Sequence, residues 1–167
     1  MELRTERLTI TDFTTDMAYD VHVNSLDEDN RRFVPDEVFE TVDEAKETVE
    51  FLISRYGGNE GPFVHPVLLN DNTNIGYVQL VPIEDGWEIG YHIAKKHTGK
   101  GYATEAVKAF IPYMLDKMKL DRIIGICLAD NFASKKVMEK CGFEFEFEGM
   151  GDYQGDKKEI AKYIYRR

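Results

Sequence analysis

The spacing of apolar residues changes period several times along the chain, and each change marks an element boundary. Residues 5–13 alternate, with Leu8 and Ile10 on one side, which predicts a first strand. Thr15 or Asp16 can cap a helix running to about Leu26, and the polar stretch 27–36, stopped by Pro35, predicts a loop. Thr41 and Glu44 form a Thr-x-x-Glu capping box. Behind it Val42, Ala45, Val49, Leu52 and Ile53 recur at helical steps until Gly57-Gly58. Segments 63–69, 75–82 and 87–93 predict strands joined by short turn-rich links, hence an antiparallel meander.

A helical period returns with Ala103, Ala106, Val107, Phe110, Ile111, Met114, Leu115 and Met118, and Pro112 should kink this helix or split it in two. Residues 122–129 form an apolar strand. Strand, helix and strand together make a crossover, which requires parallel pairing. A short helix follows with Val137, Met138 and Cys141 inward, ending at Gly142. Phe143, Phe145 and Phe147 alternate with Glu144, Glu146 and Glu148, predicting a half-buried strand, and residues 159–165 close a hairpin with it.

The junction inside residues 87–106 carries chemistry. Trp87, Ile89, Tyr91 and Ile93 alternate with Glu88, Gly90 and His92. The chain then passes Lys95-Lys96-His97, turns through Gly99-Lys100-Gly101 and enters the helix. Amides at a helix start lack intrahelical partners and favour phosphate oxygens, and glycines let the backbone approach an anion. A Walker A loop does not fit, because Ala94 replaces its first glycine and Gly101 follows Lys100. The dinucleotide fingerprint requires Gly or Ala where Thr104 stands, at the opening of a βαβ unit.

Lys96-His97-Thr98-Gly99-Lys100-Gly101 resembles the coenzyme A loop Gln/Arg-x-x-Gly-x-Gly/Ala of the GNAT acyltransferases, with Lys96 in place of Gln/Arg. The run Gly99 to Ala106 after Glu88-Ile89-Gly90-Tyr91, with the opening Glu6-Arg7-Leu8, is similar to the ribosomal-protein-alanine N-acetyltransferase (RimJ/RimL-like) branch. Asn131-x-x-Ser134 followed by Cys141-Gly142-Phe143 looks like that family's second signature. The resemblance implies a mixed α+β fold, with a mostly antiparallel sheet of about six to seven strands flanked by about four helices, as one domain over residues 1–167. It implies transfer of the acetyl group of acetyl-CoA to a primary amine, either a protein N-terminus or a small molecule, by direct attack and without a metal.

The same resemblance distributes roles. Amides of Gly99, Lys100, Gly101, Tyr102, Ala103 and Thr104 would cradle the pyrophosphate, and backbone groups of Tyr91, His92 and Ile93 would pair with the pantetheine arm as an added strand. Asn131 would contact pantetheine or order its loop. Arg32, Phe33 and Pro35 would meet the acceptor. An amine with a pKa of about 10.4 needs a base at neutral pH. Glu88 is the candidate, facing away from Trp87 and Ile89, with His92 on its strand face as a weaker alternative. A solvated surface carboxylate is the other reading of Glu88. Ser134 is the candidate donor to the departing thiolate, although a helix-start serine can equally serve backbone amides. Many family members carry a tyrosine acid where this chain has Met138, which donates no proton. That departure leaves open a second class of function, a coenzyme-A-binding sensor or interaction module without catalysis.

Composition narrows these readings. Apolar content of 43 % and 31 % charged residues suit a globular domain. No apolar run approaches membrane-spanning length and residues 1–4 open no apolar leader, so a cytoplasmic protein with no membrane partner is expected, as monomer or homodimer. A net charge of −10 opposes nucleic-acid binding and suits a cationic acceptor, or serves solubility alone. Cys127 and Cys141 lie in apolar patterns and predict buried free thiols. His65 has no metal-ligand spacing and is expected to be structural or solvent-facing.

Overall fold

One eight-stranded sheet organises the computed structural model of the chain, which describes residues 1–167. Its strands are β1 (Glu2–Arg4), β2 (Leu8–Thr11), β3 (Phe63–Leu69), β4 (Asn74–Ile83), β5 (Gly86–Ile93), β6 (Arg122–Leu128), β7 (Glu144–Tyr153) and β8 (Asp156–Arg166). They lie in the order β1-β2-β3-β4-β5-β6-β8-β7, and every neighbouring pair is antiparallel except β5 and β6. The parallel pair is the one the crossover requires, made through helix α4 (Tyr102–Met118).

The α-helices are α1 (Ala18–Ser25), α2 (Glu28–Phe33), α3 (Val42–Arg55), α4 and α5 (Phe132–Lys140). Eight strands and five α-helices exceed the expected six to seven and four. The extra strand, β1, lies ahead of the expected strand 5–13, of which residues 8–11 form β2. The Thr5 amide bonds the Leu8 carbonyl at 2.9 Å, and this turn lets residues 2–4 fold back and pair with β2. The extra helix lies in the expected loop 27–36. Asp27 caps it by accepting from the Asn30 amide at 2.7 Å. Glu28 and Asp29 sit in its first turn and Arg31 and Arg32 in its last, complementing the dipole at both ends. The first predicted helix is correspondingly shorter, beginning as a 3-10 turn at Thr15–Met17.

The helices cover the two sheet faces. Val49 and Leu52 of α3 pack with Phe13, Ala18 and Val64 on one face. On the other, Ala106, Val107, Phe110, Ile111 and Met114 of α4 pack on Ile75, Val78, Leu80, Ile89 and Ile93. Pro112 does not split α4: it sits on the exposed side, where the carbonyl it leaves unbonded can turn to water. β7 corrects the expectation of a half-buried strand. Phe143 is buried, but Phe145 (60 % exposed) and Phe147 (43 %) are not, because β7 is the edge of the sheet and a bulge between them turns Phe147 to the opposite face.

His65 is structural. It is buried, stacks on the Tyr56 ring at 4.7 Å and keeps its Nδ1 3.1 Å from the Thr11 carbonyl. Burial, partly offset by that contact and by Asp12, pushes its pKa down to about 4. The unfolded chain therefore binds this proton first, and the contribution of neutral His65 is complete above pH 6.5 and fades as pH falls toward 4. We expect wild type to lose up to about 3 kcal/mol more than His65→Phe between pH 7 and pH 4. Parallel loss in urea titrations of the two proteins would contradict this.

Candidate active site

The site begins with a break in the sheet. β5 and β6 pair only at Glu88 with Ile124 and Ile89 with Gly125; beyond Ile89 the strands diverge. Tyr91, His92 and Ile93 thus have β4 on one side and no strand on the other. A cavity of about 770 Å³ occupies the divergence, lined by Glu88, Gly90 and His92 from one sheet face and by Ile89, Tyr91 and Ile93 from the other. It passes from one side of the sheet to the other.

At one end the cavity reaches the turn into α4. Gly99 (φ 77°) and Gly101 (φ 81°) both adopt the left-handed conformation, which side chains disfavour. Gly101 is the residue before the helix and offers no capping group. The first intrahelical bond is Glu105 N–H to Gly101 O at 3.0 Å, so the amides of Tyr102, Ala103 and Thr104 remain unpaired by the helix. Lys96 and Lys100 lie on the exposed turn without ion pairs. The turn is held from β2's end of the chain: Arg7 donates to the Lys100 carbonyl at 2.8 Å, covers the Tyr102 ring at 4.5 Å and pairs with Glu105 at 2.7 Å.

At the other end two carboxyls share the cavity. Glu88 is pushed up to about 7, first by burial and then by the charge of Glu37. Glu37 follows α2 in a 3-10 turn. It accepts from the Gln79 side chain at 3.0 Å, while its other oxygen is buried without a hydrogen-bond partner. Burial likewise pushes Glu37 up to about 7. Gln79 can reach it because Gly90 stands opposite on β5, where a Cβ would come within 2.5 Å of the Gln79 amide nitrogen.

On the α5 side, Asn131 caps the helix by accepting from the Ser134 amide at 3.1 Å. The capping role at this helix start belongs to Asn131, which leaves the Ser134 hydroxyl for the Tyr91 hydroxyl at 2.7 Å. Tyr91 O–H also lies 3.0 Å from the Ser134 carbonyl. Burial pushes the Tyr91 pKa well above the usual tyrosine value, so the phenol keeps its proton at neutral pH.

Residues 7–144 match the family described as acetyltransferase (GNAT) domain. The chain belongs to this GNAT family. A relative named an uncharacterized N-acetyltransferase YnaD, from Bacillus subtilis, is 33 % identical over 149 residues, covering 87 % of this chain and 84 % of its own. A GNAT-family acetyltransferase from Bacillus anthracis superposes with a TM-score of 0.82 at 29 % identity, over 99 % of this chain and 98 % of its own. RimL, a ribosomal L7/L12 alpha-N-protein acetyltransferase solved with coenzyme A, has a TM-score of 0.84 at 18 % identity, covering 99 % and 98 %, a likeness of fold.

Within this GNAT domain the residues singled out from sequence divide by location. Glu88, Tyr91, His92, Ile93, Ala103, Asn131, Ser134 and Phe33 line the cavity. The His92 imidazole is engaged at 3.1 Å with Asp27, the cap of α2, and so ties β5 to that helix. Arg32 and Pro35 do not line the cavity; they border a second, smaller pocket of about 140 Å³, and Arg32 pairs with Asp130 at 2.6 Å. Sequence reasoning passed over Glu37, Tyr153 and Arg7 as site residues. Only Arg7 left a signal, inside Glu6-Arg7-Leu8. Glu37 and Tyr153 reach the cavity by contacts with residues 42 and 120 positions away.

Proposed function

We propose that this GNAT N-acetyltransferase moves the acetyl group of acetyl-CoA directly onto a primary amine, with Glu88 as base and Ser134 as hydrogen-bond donor to the departing sulfur. One observation carries the reading: Glu88 and the Ser134–Tyr91 hydroxyl pair face a single cavity from opposite sheet faces at the divergence of β5 and β6. Acetyl-CoA, when bound, supplies the activated acyl group. The unpaired amides of residues 102–104, the left-handed glycines and the free edge of Tyr91 to Ile93 have the donors and the room such a ligand needs.

The chain's own groups divide the proton work. Glu88, with a pKa of about 7, is ionised in about half the molecules at neutral pH and accepts a proton from the amine nitrogen. Tyr91 has one proton and two acceptors on Ser134. When it donates to the serine hydroxyl, the serine's own proton is free to point at the sulfur. Tyr91 is thus a positioning residue acting through Ser134. A covalent route through Cys127 is disfavoured, because burial holds that thiol at about 11.

The test is thiol release from acetyl-CoA over a panel of amines, run beside calorimetric binding of coenzyme A. Tight binding with no turnover on any amine would favour a ligand-sensing module, and no binding would overturn the reading altogether. Tyr91→Phe should lower kcat about tenfold while the KM for acetyl-CoA stays at the wild-type value. A rise in that KM with kcat intact would assign Tyr91 to packing instead.

A further inference from the structure

The acceptor end of the cavity has a charge pattern that the proposed chemistry does not by itself require. Asp29, Asp36, Glu37, Glu88 and Asp152 line the cavity, and no lysine or arginine does. Of these acids only Asp152 pairs with a lysine, Lys157 at 2.8 Å. The buried, unpartnered oxygen of Glu37 is the polar atom with the most to gain from a ligand. Around it stand Glu88 of β5, Asp36 of its own turn, Tyr153 of β7 and the Gln79 amide. Every charged group facing Glu37 is therefore acidic, and His92 beyond Glu88 is engaged with Asp27. The remaining walls at this end are apolar, with Phe33, Phe51, Val81 and Ile83.

This end is also roofed. The Tyr153 hydroxyl donates to the Phe33 carbonyl, linking the β7–β8 turn to the end of α2. Tyr153 lines both the cavity and the smaller pocket beside Arg32 and Pro35, so it is the wall between them. The Arg32–Asp130 pair adds a second tie from the same segment to the turn before α5. A polypeptide acceptor needs a way out for the chain behind its N-terminus, and the Tyr153–Phe33 tie closes one side of this end.

We propose that Glu37 is the acceptor-selecting residue of this site, pairing with Glu88 to hold the ammonium of a small apolar-bodied primary amine that carries no carboxylate or phosphate. This rests on the acetyl-transfer reading above. An ammonium gives the Glu37 oxygen its missing donor and relieves the repulsion between two close carboxylates. An anionic substituent on the acceptor would meet like charge in a cavity with no cation to answer it. One proton then passes from the ammonium to Glu88, and the electron pair it leaves stays on nitrogen for attack on the acyl carbon; as the C–N bond forms the C–S bond breaks, and the second N–H proton passes to the departing thiolate.

The experiment compares 2-phenylethylamine, phenylalanine and a hexapeptide with a free alanine N-terminus as acceptors, for wild type, Glu37→Gln and Glu37→Asp. We expect kcat/KM for 2-phenylethylamine to exceed that for phenylalanine at least a hundredfold, and the peptide to be inert. Glu37→Gln should raise the KM for 2-phenylethylamine tenfold or more with the acetyl-CoA KM unchanged, and Glu37→Asp should recover part of the loss. Melting curves and coenzyme A binding establish that both variants are folded. Equal use of phenylalanine, preference for the peptide, or an unmoved amine KM in Glu37→Gln would overturn the proposal while acetyl transfer stood. Absence of turnover on all three acceptors, with coenzyme A bound, would overturn both.

Discussion

Glu88→Gln should lower kcat by roughly 10²–10⁴-fold at pH 7.5 while acetyl-CoA binds as in wild type. Glutamine keeps the shape and polarity of the side chain but accepts no proton, so the loss falls on the step that deprotonates the amine. The wild-type acidic limb of kcat/KM should bend near pH 7, the value to which burial and Glu37 push the Glu88 carboxyl. In the variant that limb should vanish. An unchanged limb in Glu88→Gln would remove Glu88 as the base.

The same substitution should stabilise the fold. A carboxyl held at about 7 when folded, against about 4.5 in the unfolded chain, binds its proton more tightly in the native state. Its favourable contribution is complete below pH 4.5 and is lost as pH rises through 7. Above pH 7 the native protein carries a desolvated, repelled carboxylate that glutamine does not. After allowance for solvent in the cavity, this is worth roughly 1–3 kcal/mol, or several degrees of Tm, at pH 8. The two proteins should melt together near pH 4. Higher stability with lost activity is the mark of a group held in place for chemistry.

Gly101→Val should weaken coenzyme A binding roughly 30- to 100-fold. The φ of 81° at Gly101 is open to glycine and costs another L-residue about 1–2 kcal/mol, more for a β-branched one. A Cβ there would meet only the Arg7 guanidinium at 3.5 Å, so the penalty comes from backbone conformation and not from crowding. Valine would pull the residue toward negative φ and swing the amides of 102–104 off their common direction. Calorimetry with coenzyme A reads the change directly. Unaltered affinity would mean that the pyrophosphate is not held by this turn.

What could be read from sequence was local. The β5–turn–α4 junction is spelled out by a change of period beside two glycines, and its conformation depends on few distant residues. The crossover and the parallel pair follow from handedness and length. The misreadings came from tertiary context. Helix α2 is six residues long, and its polar sequence looks like a loop until the Asn30 side chain bridges the carbonyls of Ser25 and Glu37 from a buried position. Phe145 and Phe147 alternate like residues of a covered strand, but the sheet order leaves β7 at the edge. Glu37 is one acid among many in the sequence. Its distinction arises from Gln79, Glu88 and Tyr153, which no window of sequence contains.

The two-pair junction of β5 and β6 also has a mechanical consequence. A sheet joined across its middle by so short a seam behaves as two plates that meet near Glu88 and Ile89 and lean apart beyond them. α3 covers strands of one plate and α5 those of the other, while α4 touches both, so without ligand α4 and this short seam carry the contact between the plates. A ligand that hydrogen-bonds along Tyr91 to Ile93 and also presses on α5 would act as a splint across both plates. Binding of the acyl donor should therefore slow amide exchange in β6 and α5, well beyond the residues it touches, and stiffen the wall against which the amine must dock.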